Sequence, residues 1–530
     1  MKTLTNNSFF IIALILAFLL AECIINPIGN FPLNDDWVYG GAAFYYQHHH
    51  CFNSSLWGCA SMFGHILYVQ PFINVFGCSY TVLRFSTLLL ACVGVVSFYL
   101  LLTNHFLFNK KISFFLTLML LFNPLFLNLA NSYMTDAPFV STAIIGFYVY
   151  CIYKKTNNVL WLILSAVLFA WCILIRQLGV SFVIGIFLAH LFSLKKTNIL
   201  HLLFLALSIC PLFIFEYWFS ENIQHGSYNP VFQRTLSSFD IAFFKDTCIN
   251  FSKRWIHYVS FSGLVLSPLL IPYLINKIKS KALFQNLKTT LLSIILFLPV
   301  LYALRNFPLG NYLYNVGVGP QTLYDTYILN YNHAHSQSTI LFYLLLLLTI
   351  IGSYGLLFLV SDCIINIKTQ CFSFIEISIL FSIAFYYSFL AIPSAIFDRY
   401  IFVASLFIIP IVAKRVDFKV QSFSVFLLIV IVLFSVLSAK DYLESNRTQS
   451  QIITLLQKHF SAESNDINAS YEYAGASDFK NYFSKWKNNL PNKFLISHGN
   501  VPHYKAVFSL SYQRYIPFKK DSLFVLYYLK

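Results

Sequence analysis

Long apolar runs separated by short polar segments dominate this chain. A helix that crosses a bilayer needs about 20 mostly apolar residues, and about thirteen runs approach that length. They cover residues 8–26, 80–103, 112–130, 134–153, 158–175, 178–194, 199–219, 256–276, 288–304, 339–360, 371–392, 400–413 and 421–438. The first run lacks a small-x-small cleavage site and many others follow it. We therefore interpret it as a retained helix rather than a secretory signal.

The composition agrees with this pattern. Of the 530 residues, 58% are hydrophobic and 10% are charged, and the mean hydropathy is +0.68. A soluble protein of this length carries about 25% charged residues. We therefore predict an all-α polytopic membrane protein.

Charge is distributed unevenly between two sets of connections. Although the formal net charge is +15, the short connections alone hold fourteen Lys or Arg residues against two acids. These connections include "NKK" at 109–111, "KIKSK" at 277–281 and "KRVDFK" at 414–419. The positive-inside rule places such loops in the cytoplasm, so the basic balance indicates topology and not a nucleic-acid partner.

The longer connections then lie on the outer side. They are 27–79, 131–138, 176–179, 220–255, 305–338 and 393–400, followed by the tail after 438. In the tail, helix-like "SQIITLLQKHF" precedes strand-like "KFLISH", "AVFSLSY" and "SLFVLYYL". We predict a transmembrane domain over residues 1–438 and a small α/β domain on the outer face over 439–530.

Two adjacent acids follow the first helix in "FPLNDDWVYG". Asp35 and Asp36 precede an expected interfacial helix anchored by Trp37 and Tyr39. Two interpretations stay open for the pair. The acids either solvate a loop, or one of them acts as a general base while their titrations are coupled.

Another carboxylate, Asp136 in "NSYMTDAPF", lies at the outer boundary of a predicted span. An ionisable group near membrane depth is a functional hypothesis by default. The alternative is a helix N-cap, because Thr135 or Asp136 before Pro138 suits the start of a helix.

Three arginines occupy outer helix ends: Arg84, Arg176 and Arg399. A guanidinium group there can bind a lipid phosphate through its forked donors. The alternatives are snorkelling to the headgroups for Arg84 and Arg176, and a local ion pair with Asp398 for Arg399.

The histidines and cysteines of the first outer loop give weaker signals. The adjacent histidines of "QHHHC" at 47–51 do not point the same way on a helix, so we predict no metal site there. His65 either helps to hold an anion or caps the next helix. One disulfide among Cys51, Cys59 and Cys78 is possible, but a pairing cannot be deduced from sequence.

Four motifs together resemble a known family. "PLNDDWVYG", "NSYMTDAPF", "IRQLG" and "FDRYIFVASLFIIP" occur in the order and on the side found in polyprenyl-phosphate-sugar glycosyltransferases of the GT-C fold. The similarity is to the bacterial branch of the dolichyl-phosphate-mannose:protein mannosyltransferase superfamily, which includes the lipid A aminoarabinose transferase. It covers about residues 8–415.

The resemblance implies an inverting transfer of a sugar from a polyprenyl-phosphate carrier to a lipid, glycan or protein acceptor. The implied catalytic carboxylates are Asp35 or Asp36, together with Asp136. The implied substrate-binding residues are Arg176, Arg399, Arg84, His65 and Tyr39. The family often has Asp-Glu or a single Asp where this chain has Asp-Asp, so the acting member stays open, with a preference for Asp35. No cofactor is implied with certainty, and a divalent cation stays open.

The abundance of Lys, Asn, Ile and Phe suggests an AT-rich bacterial source, and hence an inner membrane with the site facing the periplasm. Two other functions stay open. A polysaccharide polymerase or ligase would use lipid-diphosphate glycans. A transporter would place charges deep within spans and show inverted repeats, whereas here the charges cluster at outer helix ends.

Overall fold

The computed structural model describes residues 2–52, 62–192, 199–222, 241–304, 312–313, 339–367, 370–392, 396–470, 472–473, 475–476, 493–516 and 518–529. In chain order the helices are α1 (Lys2–Ile25), α2 (Asp36–His49), α3 (Phe63–Phe76), α4 (Tyr80–Asn104), α5 (Lys110–Leu121), α6 (Pro124–Ala130), α7 (Asp136–Thr156), α8 (Val159–Ile175), α9 (Val180–Phe192), α10 (Ile199–Asn222), α11 (Ile241–Val265), α12 (Ser267–Lys279), α13 (Ala282–Gln285), α14 (Leu287–Ala303), α15 (Thr339–Ile365), α16 (Phe374–Phe389), α17 (Asp398–Phe407), α18 (Ile409–Arg415) and α19 (Ser422–His459). The strands are β1 (Ile467–Asn468), β2 (Phe494–Ser497), β3 (Tyr504–Tyr515) and β4 (Phe518–Tyr528).

The helical membrane architecture predicted from the apolar runs is confirmed. Within the described ranges, 6 helices are long and apolar enough to cross a bilayer, or up to 8 if each of two bent pairs is one span. Further apolar helices, such as α8 and α14, are shorter. The expected number of about thirteen spans stays a prediction.

Two predicted segments have a different local structure. The run 112–130 is not one helix, because α5 and α6 meet at an angle of 64°. Asn123 caps α6 by accepting from the backbone N–H groups of Leu125 and Phe126, and Pro124 starts the new helix. Likewise, the expected outer connection 220–255 contains the first part of α11, which starts at Ile241.

Small residues let neighbouring membrane helices approach closely. A Cβ atom on Gly94 of α4 would lie 2.7 Å from the Ser141 side chain of α7. On Gly185 of α9 it would lie 2.5 Å from the Ser382 backbone of α16. Such contacts are typical of membrane helix bundles, where close backbone packing replaces the hydrophobic driving force.

The predicted C-terminal α/β domain is present as a four-stranded sheet in the order β1-β2-β4-β3. Strands β1 and β2 are parallel, and the other pairs are antiparallel. The sheet packs on the end of α19 through an apolar cluster that includes Ile452, Leu456 and Val525. Arg514 of β3 also pairs with Asp441 of α19, with its Nε 3.0 Å from Oδ2.

Helix α19 continues from the apolar run into this domain without interruption. It has 38 residues, which corresponds to about 57 Å at 1.5 Å per residue. A hydrocarbon core is only about 30 Å thick, so much of the helix extends beyond the bilayer. The expected domain boundary at 438 falls inside this helix.

Candidate active site

The loop after α1 makes a tight turn immediately before α2. Asn34 adopts a left-handed conformation with φ 52°, which Asn tolerates better than most residues. The next two residues are Asp35, which precedes α2, and Asp36, its first residue. The Asp35 side chain does not cap the helix, so the turn presents the two carboxylates in different directions.

Asp36 holds two loops together. Its Oδ2 accepts from the Leu33 N–H at 3.2 Å, and its Oδ1 accepts from the Tyr133 N–H at 2.9 Å. The residue is fully buried, and burial raises the pKa of its carboxyl from 3.8 to about 7. These contacts connect the acid loop to the "NSYMTDAPF" segment.

Asp35 faces a distant partner instead. Its Oδ2 lies 3.0 Å from Nη2 of Arg399, which is 364 positions away in the sequence. The side chains of Asp35 and Arg399 are 12% and 6% exposed. Asp35 is therefore the member of the pair that combines a cationic partner with access to the outer surface.

Asp136 forms a second buried ion pair, with Nη1 of Arg176. The helix-capping alternative does not describe its contacts: the cap of α7 is Thr135, which makes no side-chain cap hydrogen bond. Oδ2 of Asp136 has no hydrogen-bond partner among the described residues. The two ion pairs together, Asp35–Arg399 and Asp136–Arg176, are called the outer charge cluster below, where outer means the side that the distribution of Lys and Arg predicts to be non-cytoplasmic.

Two tyrosines connect the pairs of this cluster. The ring of Tyr400 lies 4.9 Å from the guanidinium carbon of Arg176 and 5.2 Å from that of Arg399, within the range of cation–π attraction. The Tyr400 hydroxyl also accepts from Nη2 of Arg399 at 3.4 Å. Tyr39 is buried beside the same charges, and burial raises the pKa of its phenol above the usual range, so it stays a donor.

Arg84 and His65 lie outside the outer charge cluster. Arg84 donates to the backbone carbonyls of Pro27, Gly29 and Phe31 and covers the Phe31 ring. These contacts fold the loop after α1 onto α4, and they differ from snorkelling toward headgroups.

His65 packs against the "NSYMTDAPF" segment. Its ring stacks on Tyr133 with centroids 3.9 Å apart, and its Nε2 lies 3.2 Å from the Tyr133 carbonyl oxygen. Burial lowers the pKa of the imidazole to about 3, so the ring is neutral. Its contacts are those of a residue that holds the loop in place.

Asp398, adjacent to Arg399, binds backbone rather than the neighbouring guanidinium. Its Oδ2 accepts from the N–H groups of Tyr312 and Leu313 at 2.9 and 2.7 Å, and its Oδ1 accepts from the Arg399 N–H at 2.7 Å. These bonds fix the start of α17 and so the position from which Arg399 extends.

The C-terminal domain reaches the acid loop. Glu472 is buried and its Oε1 accepts from the Asn34 N–H and the Tyr442 hydroxyl, both at 3.4 Å. A Cβ atom on Gly475 would lie 2.3 Å from the Trp37 ring, so only glycine allows this approach. The outer domain therefore covers the turn that presents Asp35.

Sequence reasoning missed three of these participants. Tyr400 lies in the motif "FDRYIFVASLFIIP", and the sequence assigns it no role of its own. Glu472 gave no local signal because its partner lies 438 positions away. Glu22, which accepts from the Asn131 side chain at 3.1 Å, did give a signal: it is the single acid in the first apolar run, where an ionisable residue calls for an explanation.

The metal and disulfide predictions concern a loop that the structure describes only in part. No three His, Cys, Asp or Glu side chains of the described ranges form a group that could hold a metal ion. Cys51 and Cys78 are free thiols. Cys59 lies in the segment 53–61, which is outside the described residues, so the disulfide prediction is not tested for it.

Fold and site thus define an integral membrane protein with a buried, paired charge cluster at one end of its helices. Residues 65–218 match the family model of the dolichyl-phosphate-mannose-protein mannosyltransferases, which confirms the resemblance drawn from the motifs over this part of the chain. The matched segment contains Asp136 and Arg176 but not Asp35 or Arg399. No curated protein sequence matches the chain.

Two transferases are among the solved structures that align with this chain. ArnT from Cupriavidus metallidurans in the apo state aligns over 99% of this chain and 98% of that chain, at 12% identity and a TM-score of 0.43. AglB from Archaeoglobus fulgidus, an archaeal oligosaccharyltransferase in complex with an inhibitory peptide and a dolichol-phosphate, aligns over 97% and 74%, at 12% identity and a TM-score of 0.46.

Proposed function

We propose that the protein is an inverting glycosyltransferase that moves a sugar from a polyprenyl-phosphate carrier to a lipid, glycan or protein acceptor. The observation that carries the proposal is the outer charge cluster. Its four charged side chains are at most 12% exposed. Apolar side chains of similar volume often stabilise a protein as well as a buried ion pair does, so a purely structural role explains two such pairs poorly.

The apolar lining of one cleft is compatible with the hydrocarbon part of such a carrier. Its residues include Met119, Leu264, Leu313 and Phe434. Leu313 donates its N–H to Asp398, the residue before Arg399. This contact links the cleft lining to the start of α17, from which Arg399 extends. The planar donors of Arg399 and Arg176 match phosphate oxygens.

The cluster also supplies the groups that an inverting transfer needs. An acceptor hydroxyl or amine attacks the sugar C1 from the face opposite the phosphate, and the C1–O bond breaks with its electron pair on the phosphate oxygen. Asp35 accepts the proton of the nucleophile. Arg399 and Arg176 stabilise the charge that develops on the leaving phosphate.

The cellular placement follows from charge distribution. Since the Lys- and Arg-rich connections favour the cytoplasm, the outer charge cluster would face the periplasm of a bacterial inner membrane. Asp35, Arg399 and the outer domain all belong to that side under the same topology.

Reconstitution into proteoliposomes tests this function. We expect sugar transfer from a polyprenyl-monophosphate sugar, and a loss of transfer of at least about 100-fold in Asp35→Asn. Mass spectrometry of envelope acceptors from a deletion strain then identifies the acceptor. Asp36→Asn tests the other member of the acid pair. Glu376→Gln, at a buried acid at the opposite helix ends, is the matched control. Transfer from a lipid-diphosphate glycan alone would instead favour a polymerase or ligase. Full activity in both Asp35→Asn and Asp36→Asn would remove the catalytic assignment.

A further inference from the structure

The arginines of the outer charge cluster are already neutralised by protein carboxylates. Asp35 occupies Arg399 and Asp136 occupies Arg176. The charges of these four side chains therefore balance. A sugar phosphodiester adds one negative charge, and an uncompensated charge in a buried site is costly. Among the described residues, binding of the carrier therefore favours a change in one of the two pairs.

The hydrogen bonds of Arg399 show where the change is easiest. A guanidinium group grips phosphate bidentately through Nη1 and Nη2 or through Nε and Nη2, so Nη2 belongs to both edges. In Arg399, Nη2 donates to Asp35 and to the Tyr400 hydroxyl. Its Nη1 faces only the Met134 sulfur at 3.9 Å, and its Nε has no partner among the described residues. A bidentate phosphate therefore competes directly with Asp35.

The second pair is less suited to exchange. The Asp136 side chain is fully buried, whereas that of Asp35 is 12% exposed. Asp136 also begins α7 and its partner follows α8, two helices that pack side by side. Moving Asp136 away from Arg176 would leave a carboxylate without solvent, so Asp35 is the carboxylate that can turn toward the outer surface.

We propose that the carrier phosphate displaces the Asp35 carboxylate from Arg399, so that donor binding itself releases the base that receives the acceptor proton. This inference rests on the proposed function. It assigns Asp35 two successive partners, first Arg399 and then the acceptor. The displaced carboxylate no longer bonds to Arg399 and is available to accept the acceptor proton, and this happens only after the leaving group is bound. The release also favours an order in which the donor binds before the acceptor reacts.

The test separates binding from turnover. The full chain in lipid nanodiscs is titrated with polyprenyl monophosphate that carries no sugar, and dissociation constants are compared for wild type, Asp35→Asn and the control Glu376→Gln. Because the neutral amide no longer competes for Arg399, we expect Asp35→Asn to bind the carrier phosphate about tenfold more tightly, while its sugar transfer falls at least about 100-fold. The Glu376→Gln affinity stays at the wild-type value.

Equal or weaker binding by Asp35→Asn overturns the displacement, even if wild type binds the carrier and transfers sugar. Absence of both binding and transfer in wild type would instead overturn the proposed function. Asp35→Ser, a shorter neutral side chain, repeats the comparison if the Asn variant does not melt like wild type. Tighter binding in either variant, with transfer lost, supports the displacement.

Discussion

The two ends of the helical domain use buried acids in different ways. At the outer end, Asp35 and Asp136 pair with arginines that are 364 and 40 positions away, and neither carboxylate caps its helix. At the other end, Glu376 completes a capping box: Ser373 donates its N–H to Glu376 at 2.6 Å, and the Ser373 hydroxyl accepts from the Glu376 N–H. The first arrangement depends on the tertiary fold, and the second begins with local helix structure.

The cations differ in the same way. Glu376 lies 3.3 Å from Nζ of Lys414 and 3.6 Å from Nη2 of Arg415, and these three residues are called the inner charge cluster. The Lys414 side chain is 45% exposed, so its charge remains in contact with water. In the outer charge cluster all four charges are buried. The inner acid thus stabilises a helix end, whereas the outer acids hold buried cations, as the proposed function expects of a site that receives a substrate charge.

The largest expected difference concerns the arginines. Arg399→Gln should lower sugar transfer by about 100-fold or more, because it removes a donor from the leaving phosphate. Arg415→Gln, the matched change in the inner charge cluster, should leave transfer near the wild-type rate. Initial rates in proteoliposomes at equal protein loading check both variants. Similar losses in the two would mean that the clusters do not differ in function.

The free energy of unfolding should fall more when Asp136 is neutralised than when Glu376 is. Asp136→Asn leaves Arg176 buried without its counter-charge, and we expect a loss of about 3–5 kcal/mol. Glu376→Gln keeps an oxygen for the Ser373 N–H and retains contact with solvated cations, so about 1 kcal/mol is expected. Thermal melts in detergent compare the two variants. A larger loss for Glu376→Gln would reverse the comparison.

Asp36 should make the stability of the folded chain depend on pH. Its carboxyl has a raised pKa of about 7 in the folded chain against 3.8 for the unperturbed group. Folding therefore favours the protonated form, and the stability from this group is greatest below pH 4 and falls as pH rises toward 7. Asp36→Asn should remove about 1–4 kcal/mol of that decline. Melting temperatures of both proteins between pH 4 and 7 measure it; identical slopes would exclude Asp36 as the source.

The smallest effect is expected for Lys414. Its pair with Glu376 is partly exposed, and such pairs contribute at most about 1 kcal/mol. Lys414→Ala should therefore shift the melting temperature slightly, and high salt should reduce the difference further. A loss as large as that of Asp136→Asn would show that solvent contact does not distinguish the clusters.

Much of the fold could be predicted from local pattern. Apolar runs located the membrane helices, and alternating residues located β2, β3 and β4. The acid pair was correctly expected to precede a helix, which is α2. The break at Asn123 was missed because a single cap and a proline hardly change the apolarity of a run. The continuity of α19 was missed because its outer half is polar enough to resemble a linker.

The site was accessible to sequence reasoning only in part. Asp35, Asp136, Arg176 and Arg399 could be named because charges at helix ends are rare in so apolar a chain. Their pairing could not, since side chains 364 positions apart meet only through the packing of the helices between them. No contact that separates Asp36 from Asp35 can be read from the sequence; in the folded chain Asp36 accepts from the Leu33 and Tyr133 N–H groups, whereas Asp35 pairs with Arg399.

Helix α19 also constrains how this chain can vary in length. Because the helix is continuous from the membrane to the sheet, one inserted residue in its outer half would rotate the domain by about 100° and raise it by about 1.5 Å. Glu472 would then lose the Asn34 N–H, and Gly475 would leave Trp37. Insertions and deletions are therefore expected to be tolerated in the loops and not in α19, whose length sets the distance between the bilayer and the part of the C-terminal domain that contacts the Asp35–Asp36 turn.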